Sequence, residues 1–304
     1  MSIKSFSQQI PKWLKMFRGK SILHQPQDVG ICYNISTLSG YYNDLTKKIT
    51  SEYAKVDCNG IPYIYDNYCK KYYTVTIVQY GLGALDMFLT TNKEEYYEVV
   101  KIITNWLLLN QNDDGGWSLD NTNGKKMYYS AMIQGECISF LIRSERILRK
   151  SFSKEIEKAL SILIKFVDNG GCTIEDNKGL LLMEFPDKPF ILNGSIFAFW
   201  GIYDYCLFYN SKNSGYKELM NQYSKSLEEI LSKFDCCFWS NYSIDGKIAS
   251  PFYHRLHIAQ LKVLYEMTGN ELYKKYYTKW EKEQTNIVYI FFAIIIKGLQ
   301  KLFE

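Results

Sequence analysis

Four successive pairs of helical segments are the feature that most limits what this chain can fold into. Apolar residues recur in each segment with the spacing of one helix face. The segments cover residues 74–91, 93–110, 128–150, 153–168, 192–209, 216–234, 251–268 and 271–280. The connections within each pair are short, which makes its helices antiparallel neighbours. The sequence therefore predicts an all-α fold, an incomplete α/α barrel (toroid) of about four helical hairpins whose inner helices line a cleft.

The stretches between these pairs are long and rich in Gly, Asp, Asn and Pro. Long loops in a compact domain are more often functional than idle. Asp176-Asn177-Lys178-Gly179 has turn composition and predicts a small β-hairpin within residues 172–186. We expect residues 1–70 to form an irregular arm, residues 71–280 the domain of helical hairpins, and residues 281–304 an apolar or amphipathic C-terminal helix.

Amino-acid composition limits which partners the chain is expected to bind and in which cellular compartment it is expected to lie. The net charge of +4 comes without a basic run, which argues against nucleic acid and is compatible with an anionic substrate. Eight cysteines without a C-x-x-C pair indicate free thiols, and no signal peptide is recognised, so a cytoplasmic location is expected.

The apolar stretch at residues 287–296 is shorter than the roughly 20 residues of a bilayer span. A terminal core helix is the favoured interpretation. Peripheral membrane contact through residues 287–303 is the alternative, and a homodimer is left open.

A phenol, a guanidinium and two imidazoles stand together in Tyr253-His254-Arg255-Leu256-His257. On a helix, Tyr253 and His257 share a face. Proton carriers beside a fixed cation suit chemistry on an anionic substrate. The alternative is that these are half-buried polar tips in a tyrosine-rich protein.

Three other motifs hold polar residues in apolar or turn-rich surroundings. The turn from Gln111 to Trp117 (Gln-Asn-Asp-Asp-Gly-Gly-Trp) is predicted to be structural. Glu184, flanked by apolar residues, would have a raised pKa if buried and could serve as a base; an exposed loop carboxylate is the alternative. Asn193 is either a helix cap or a ligand for sugar hydroxyls.

Seven stretches carry a resemblance to a known family in the same order along the chain. They are Val78-Gln79-Tyr80-Gly81-Leu82, Gly201-Ile202-Tyr203-Asp204, and residues 110–117, 129–135, 184–194, 239–242 and 253–261. Through them the chain resembles the C-terminal catalytic domain of the glucuronyl C5-epimerases, which act in heparan sulfate and heparosan maturation. The resemblance does not extend to the β-rich N-terminal domain of the animal enzymes.

The resemblance implies a site and a reaction. Glu184, Tyr242 and Tyr253 match the family's catalytic positions, and Phe185 stands where the family usually has a catalytic tyrosine. Either Glu184 transfers the proton on that tyrosine's face of the sugar ring, or the enzyme is impaired, or the motif is aligned one residue out of place. We assign substrate binding to a second group of residues: His254, Arg255, His257, Asn193, Tyr129, Gln134 and Gln79. Among them, His254, Arg255 and His257 are expected to add positive charge.

The implied activity is that of a uronate C5-epimerase acting on an anionic, heparosan-like polysaccharide. It removes a proton α to a carboxylate and returns one to the opposite face, with Glu184 and Tyr253 as the two proton carriers. No metal or redox cofactor is implied. A uronate lyase shares the first half of this reaction, and Phe185 keeps a non-catalytic polysaccharide-binding protein open.

Overall fold

The computed structural model describes residues 11–16, 18, 20–21, 24–51, 55–66, 68–120, 128–209 and 214–302. The chain divides into two compact units. The central unit comprises Gly30–Phe190 and Gly194–Leu227, and the terminal unit comprises Met1–Val29, Ile191–Asn193 and Glu228–Glu304. The domain boundaries predicted at residues 70 and 280 stay a prediction.

Helices dominate the described residues. They are α1 (residues 11–16), α2 (Thr46–Thr50), α3 (Thr74–Thr91), α4 (Glu94–Asn110), α5 (Ala131–Leu148), α6 (Ser153–Ile164), α7 (Leu192–Phe208), α8 (Ser214–Ile230), α9 (Pro251–Thr268), α10 (Glu271–Thr285) and α11 (Ile287–Leu302). The strands are β1 (Lys55–Val56), β2 (Pro62–Asp66), β3 (Cys69–Lys71), β4 (Thr173–Asp176) and β5 (Gly179–Leu182). Each predicted helical segment is found, and α10 is longer than expected.

In the central unit, α3 packs on α4 and α5 on α6 as helical hairpins. Glycine allows α5 and α7 to cross with their backbones in contact. A Cβ at Gly201 would lie 2.5 Å from the Cα of Gly135, so a larger residue would push the two helices apart. The turn after α4 is structural, as predicted: Gln111 donates to the Glu155 carbonyl oxygen at 2.8 Å, and the Trp117 indole donates to that of Leu107 at 2.9 Å.

Two small antiparallel sheets complete the central unit. The β4–β5 hairpin is the predicted one, with Asp176 opposite Gly179 across its turn. The order β1-β2-β3 forms a second sheet, within the stretch expected to be an irregular arm. Its strands are two to five residues long, too short for an alternating pattern to be recognised.

In the terminal unit, α9 and α10 form a hairpin whose ends follow from local sequence. Ser250 caps α9, Pro251 opens it, and Gly269 ends it at φ +67°. Asn270 then caps α10 by accepting from the Leu272 amide. No described helix is long and apolar enough to cross a bilayer.

Candidate active site

Tyr253 lies in the first turn of α9, in the terminal unit. Its amide donates to the Ser250 hydroxyl that caps the helix. A helix N-terminus carries partial positive charge, which stabilises negative charge on groups placed beside it. The half-buried Tyr253 ring contacts the Tyr242 ring, with 4.6 Å between their centroids. The structure therefore brings two of the three predicted catalytic residues together.

A turn held by α11 carries Tyr242. The Tyr242 amide donates to the Lys247 carbonyl oxygen at 2.6 Å. Gln300 bonds the turn twice, accepting from the Ile248 amide at 2.9 Å and donating to the Gly246 carbonyl oxygen at 2.9 Å. Lys297 donates to the Ile248 carbonyl oxygen at 2.7 Å, and its Nζ lies 5.7 Å from the centroid of the Tyr242 ring. The position of Tyr242 thus depends on α11, the helix that the sequence predicted to be a terminal core helix.

The prediction of a terminal core helix describes only one side of α11. Ile290 and Ala293 are buried in a core cluster with Trp239, Ile248 and Ala249, and Tyr242 and Tyr253 pack against it. The opposite side is an exposed apolar face made of Val288, Phe291, Phe292, Ile295 and Leu299. Membrane contact through this helix stays a prediction.

Both tyrosines line a cavity of about 770 Å³ within the terminal unit. Lysines dominate its charge: Lys12, Lys15, Lys20, Lys297 and Lys301 line it, and none of the described lining residues is acidic. The volume lies within the roughly 300–1,000 Å³ typical of ligand pockets. The charge of the lining is therefore suited to attract an anion.

The two histidines of the motif are fully buried. The His254 ring stacks on Trp239 with centroids 3.7 Å apart, and its Nδ1 accepts from the Ser240 amide at 3.1 Å. The Ser240 hydroxyl also lies 2.9 Å from Nδ1 of His257. Burial lowers the pKa of His254 well below its usual value and that of His257 to about 3. The expectation that they supply positive charge is therefore wrong, because both rings are neutral.

Arg255 is not among the residues that line the cavity with Tyr242 and Tyr253. Its Nε and Nη2 bind the two carboxylate oxygens of Asp28, each at 2.7 Å. This half-exposed pair lines a separate cavity of about 570 Å³ in the same unit. The charge of Arg255 is thus matched by a protein carboxylate.

Glu184, the third predicted catalytic residue, belongs to the central unit and follows β5. It is 8% exposed, and burial raises its pKa to about 8, in the direction expected for a desolvated carboxyl group. Its Oε2 lacks a hydrogen-bond partner among the described residues. A Cβ at Gly194 would come within 2.1 Å of that oxygen, so the carboxyl group needs glycine at this position.

A second buried carboxyl group, Glu136 on α5, was missed as a candidate. Gln79 donates to its Oε1 at 2.9 Å, and Oε2 has no partner among the described residues. Burial raises the pKa of Glu136 to about 8, with a further contribution from the charge of Glu184. At neutral pH both carboxyl groups therefore hold a proton.

The other predicted substrate ligands are engaged within the protein. Gln79 binds Glu136, as above. The Tyr129 hydroxyl donates to Asp114, and the Gln134 amide pairs with both the amide and the carbonyl oxygen of Trp117, at 2.9 and 3.0 Å. Asn193 lies in the first turn of α7, and its carbonyl oxygen accepts from Gln260 at 3.1 Å. Their assignment to substrate stays a prediction.

The lysines of the cavity were not identified from the sequence. A signal was present: Lys297 and Lys301 are four residues apart in a helix that is otherwise mostly apolar, so they share one face. Lys12, Lys15 and Lys20 in the N-terminal arm gave weaker signals, because the residues of the arm show no clear helical or strand periodicity.

A family described as D-glucuronyl C5-epimerase C-terminus matches residues 111–282. The D-glucuronyl C5-epimerase of Caenorhabditis elegans is 26% identical over 220 residues, which are 63% of this chain and 36% of that protein. The chain spans about a third of the length of the curated relatives it matches.

Two solved structures share the fold. Cellobiose 2-epimerase from Bacillus thermoamylovorans matches 84% of this chain and 76% of its own, with a TM-score of 0.56 and 12% identity. Cellobiose 2-epimerase from Spirochaeta thermophila matches 92% of this chain and 85% of its own, with a TM-score of 0.54 and 8% identity. These likenesses confirm the fold class, all-α with helical hairpins of the α/α-barrel type. Since the family match takes in more than half of the sequence, the chain belongs to the D-glucuronyl C5-epimerase C-terminus family.

Proposed function

We propose that this chain is a polysaccharide uronate C5-epimerase, which converts D-glucuronate to L-iduronate residues within a polymer. The observation that carries the proposal is the pair of tyrosines, Tyr242 and Tyr253, on the wall of a cavity lined by lysines. Family membership supports a carbohydrate epimerase, and the name of the nematode relative supports glucuronate as the sugar.

The difficult step is removal of a weakly acidic hydrogen. The C5 hydrogen of a hexuronate lies α to a carboxylate, so its loss produces an enediolate with two negative charges. Preorganised donors and cations lower the energy of such an intermediate. The lysines supply positive charge, and Tyr242 donates a hydrogen bond to the carboxylate or the ring.

Proton transfer is assigned to Tyr253 and Glu184. The Tyr253 phenolate takes the C5 proton, and the electron pair of the C–H bond moves into the carboxylate to form the enediolate. A proton from the Glu184 carboxyl group then adds to C5 from the opposite face, leaving a Glu184 carboxylate and a neutral phenol. This assignment requires Glu184 to begin protonated, in line with its raised pKa of about 8. The reverse reaction uses the same groups in exchanged roles.

The proposal is tested by NMR of heparosan, unsulfated and N-sulfated, incubated with the protein in heavy water. We expect loss of the C5 proton signal and growth of iduronate signals. Ultraviolet absorbance from an unsaturated sugar would instead identify a lyase, which expels the 4-O substituent after forming the same anion. Binding of the polymer without exchange at C5 would contradict the proposal and identify a non-catalytic binding protein.

A further inference from the structure

Ser240 is a fully buried residue of the terminal unit that stands two positions before Tyr242. Its amide donates to Nδ1 of His254 at 3.1 Å, and its hydroxyl oxygen lies 2.9 Å from that nitrogen and 2.9 Å from Nδ1 of His257. Both histidines follow Tyr253 on α9, by one and by four positions. Ser240 therefore joins the segment that carries Tyr242 to the helix that carries Tyr253.

The hydrogen bonds of this cluster have a definite direction. Because a backbone amide can only donate, Nδ1 of His254 carries no proton, and the Nε2–H group of this neutral ring donates to the Trp280 carbonyl oxygen at 3.2 Å. The Ser240 hydroxyl lies at hydrogen-bond distance from the same unprotonated Nδ1, so it donates there as well. Its oxygen can then only accept from the second ring, which places a proton on Nδ1 of His257. The hydrogen bonds thus run from His257 through the serine hydroxyl to His254.

A second connection to α9 begins at the backbone of Tyr242 itself. The Tyr242 carbonyl oxygen accepts from the Leu192 amide at 3.3 Å. Asn193, which follows, accepts from the Gln260 side chain through its own carbonyl oxygen at 3.1 Å. Gln260 is fully buried on α9 and lies seven positions after Tyr253, close to two turns, so both residues are on one face of the helix. Tyr242 is therefore tied to α9 both through the residues before it and through its own carbonyl group.

These connections fix the spacing of two groups that the proposed mechanism uses together. The Tyr242 and Tyr253 rings have centroids 4.6 Å apart. A displacement of catalytic groups by about 1 Å can slow a reaction by about 100-fold. None of the bonds that tie Tyr242 to α9 requires a charged side chain, so they are compatible with two histidines that burial keeps neutral.

We propose that Ser240 is a positioning residue, which binds the Tyr242 segment to α9 through His254 and His257 and so fixes Tyr242 relative to Tyr253. Gln260 acts in the same way on the other side of Tyr242. This inference rests on the proposed function for the reaction in which the two tyrosines act. It gives the buried histidines a role in geometry rather than in charge.

The first test is spectroscopic and uses the parent protein. Nitrogen-15 NMR of protein labelled only at its three histidines distinguishes ring nitrogens that carry a proton from those that do not. At neutral pH we expect the proton of His254 on Nε2 and that of His257 on Nδ1. A proton on Nε2 of His257, or on both nitrogens of either ring, would overturn the proposal.

The second test measures C5 exchange and the spacing of the tyrosines in Ser240→Ala. At saturating polymer we expect exchange to slow by about tenfold with KM changed by less than about twofold, since the polymer still binds but the tyrosines lose their fixed spacing. Through-space NMR contacts between the Tyr242 and Tyr253 ring protons should weaken as well. Ser240→Thr, which keeps the hydroxyl group, should restore most of the exchange rate.

Two changes at His257 give an independent test if Ser240→Ala does not fold. The amide group of Asn can take the place of Nδ1, whereas that of Gln reaches the place of Nε2. We therefore expect His257→Gln to slow exchange by about tenfold and His257→Asn by less than about threefold. Equal slowing by the two changes would overturn the proposal.

The matched control is Asn270→Ala, which removes the cap of α10 in the same unit and touches no bond of the Tyr242 segment. Its midpoint in urea should fall, as that of Ser240→Ala does, while C5 exchange and the contacts between the tyrosine rings stay as in the parent. Slowing of exchange in the control to the same extent would show that lost stability, rather than lost positioning, explains the effect of Ser240→Ala.

Failure of the inference and failure of the proposed function give different results. Contacts between the tyrosine rings that depend on Ser240, without hydrogen exchange at C5, would leave the inference standing and remove the epimerase. Exchange at C5 whose rate does not respond to Ser240→Ala would do the reverse.

Discussion

Arg143 in the central unit and the cavity lysines in the terminal unit hold their positive charge in different surroundings. In the central unit, Arg143 is buried and its charge is matched: its Nη1 lies 2.5 Å from Oδ2 of Asp204, and its Nε donates to the Gly40 carbonyl oxygen at 2.6 Å. In the terminal unit, five lysines line one cavity, and the described residues around it include no carboxylate.

Desolvation explains this difference. An ion removed from water without a partner costs several kcal/mol, so the fully buried guanidinium needs its carboxylate and its carbonyl acceptors. The cavity lysines are exposed or half-buried and keep contact with water. The buried guanidinium therefore has its charge matched within the fold, whereas the cavity lysines retain contact with water.

The largest effect is expected from breaking the matched pair. Arg143→Met leaves the Asp204 carboxylate buried without its cation, which should lower the free energy of unfolding by about 3–5 kcal/mol. Urea denaturation measures the loss. Lys93→Met, on an exposed residue, should change stability by less than about 0.5 kcal/mol. A loss below about 1 kcal/mol for Arg143→Met would show that the pair is not needed for folding.

The buried carboxyl groups of the central unit give a pH dependence. Glu136 has a folded-state pKa of about 8 against an ordinary value of 4.5, so the folded protein holds a proton that the unfolded chain releases. The stabilisation is complete below about pH 4.5 and is lost as pH rises toward 8.

We therefore expect Glu136→Gln to flatten the stability profile. Between pH 5 and pH 7 the parent should lose about 2–3 kcal/mol more than the variant, since a tenfold change in a proton-binding constant is about 1.4 kcal/mol. Urea unfolding at the two pH values measures this difference. Parallel profiles would mean that Glu136 is ionised in the folded protein.

In the terminal unit, the link between α11 and Tyr242 is tested by Gln300→Leu. The change removes two hydrogen bonds to the turn that follows Tyr242, at a cost of about 1–2 kcal/mol, and should also slow C5 exchange because the turn loosens. Gln222→Leu, an exposed change on α8, is the control. Loss of stability with unchanged exchange would separate the turn from the reaction.

The smallest effect is expected from Phe185→Tyr. Phe185 is half-buried beside Glu184 in sequence, so a hydroxyl group can be added without a large change in packing. If Glu184 is the proton carrier, exchange should change by less than about threefold. A large gain in C5 exchange, measured by NMR, would show that the tyrosine of the family is the missing acid.

Local patterns predicted much of the fold. The helices over 74–91 and 251–268 were predicted to the residue, because the apolar spacing of one helix face is a local property of the sequence. The β4–β5 turn was predicted for the same reason. The sheet of β1, β2 and β3 was not, since such short strands depend on their partners rather than on a pattern of their own.

The candidate site was only partly predictable. Tyr242 and Tyr253 were identified from motifs, and the structure brings their rings together. The charge state of His254 and His257 was predicted wrongly because burial, which lowers their pKa, is set by Trp239 and Trp280, residues distant in sequence. The lysines escaped notice because α1 and α11 lie at opposite ends of the sequence and meet only in the folded terminal unit.

The proposed role of Tyr253 is tested by hydrogen exchange at C5 in a Tyr253→Phe variant. Proton NMR in heavy water would follow heparosan with the parent and with the variant at equal bound polymer. We expect the variant to bind the polymer as the parent does and to exchange the C5 hydrogen at least about 100-fold more slowly, since it lacks the group that takes the proton. Exchange at the parent rate would show that Tyr253 does not take the proton.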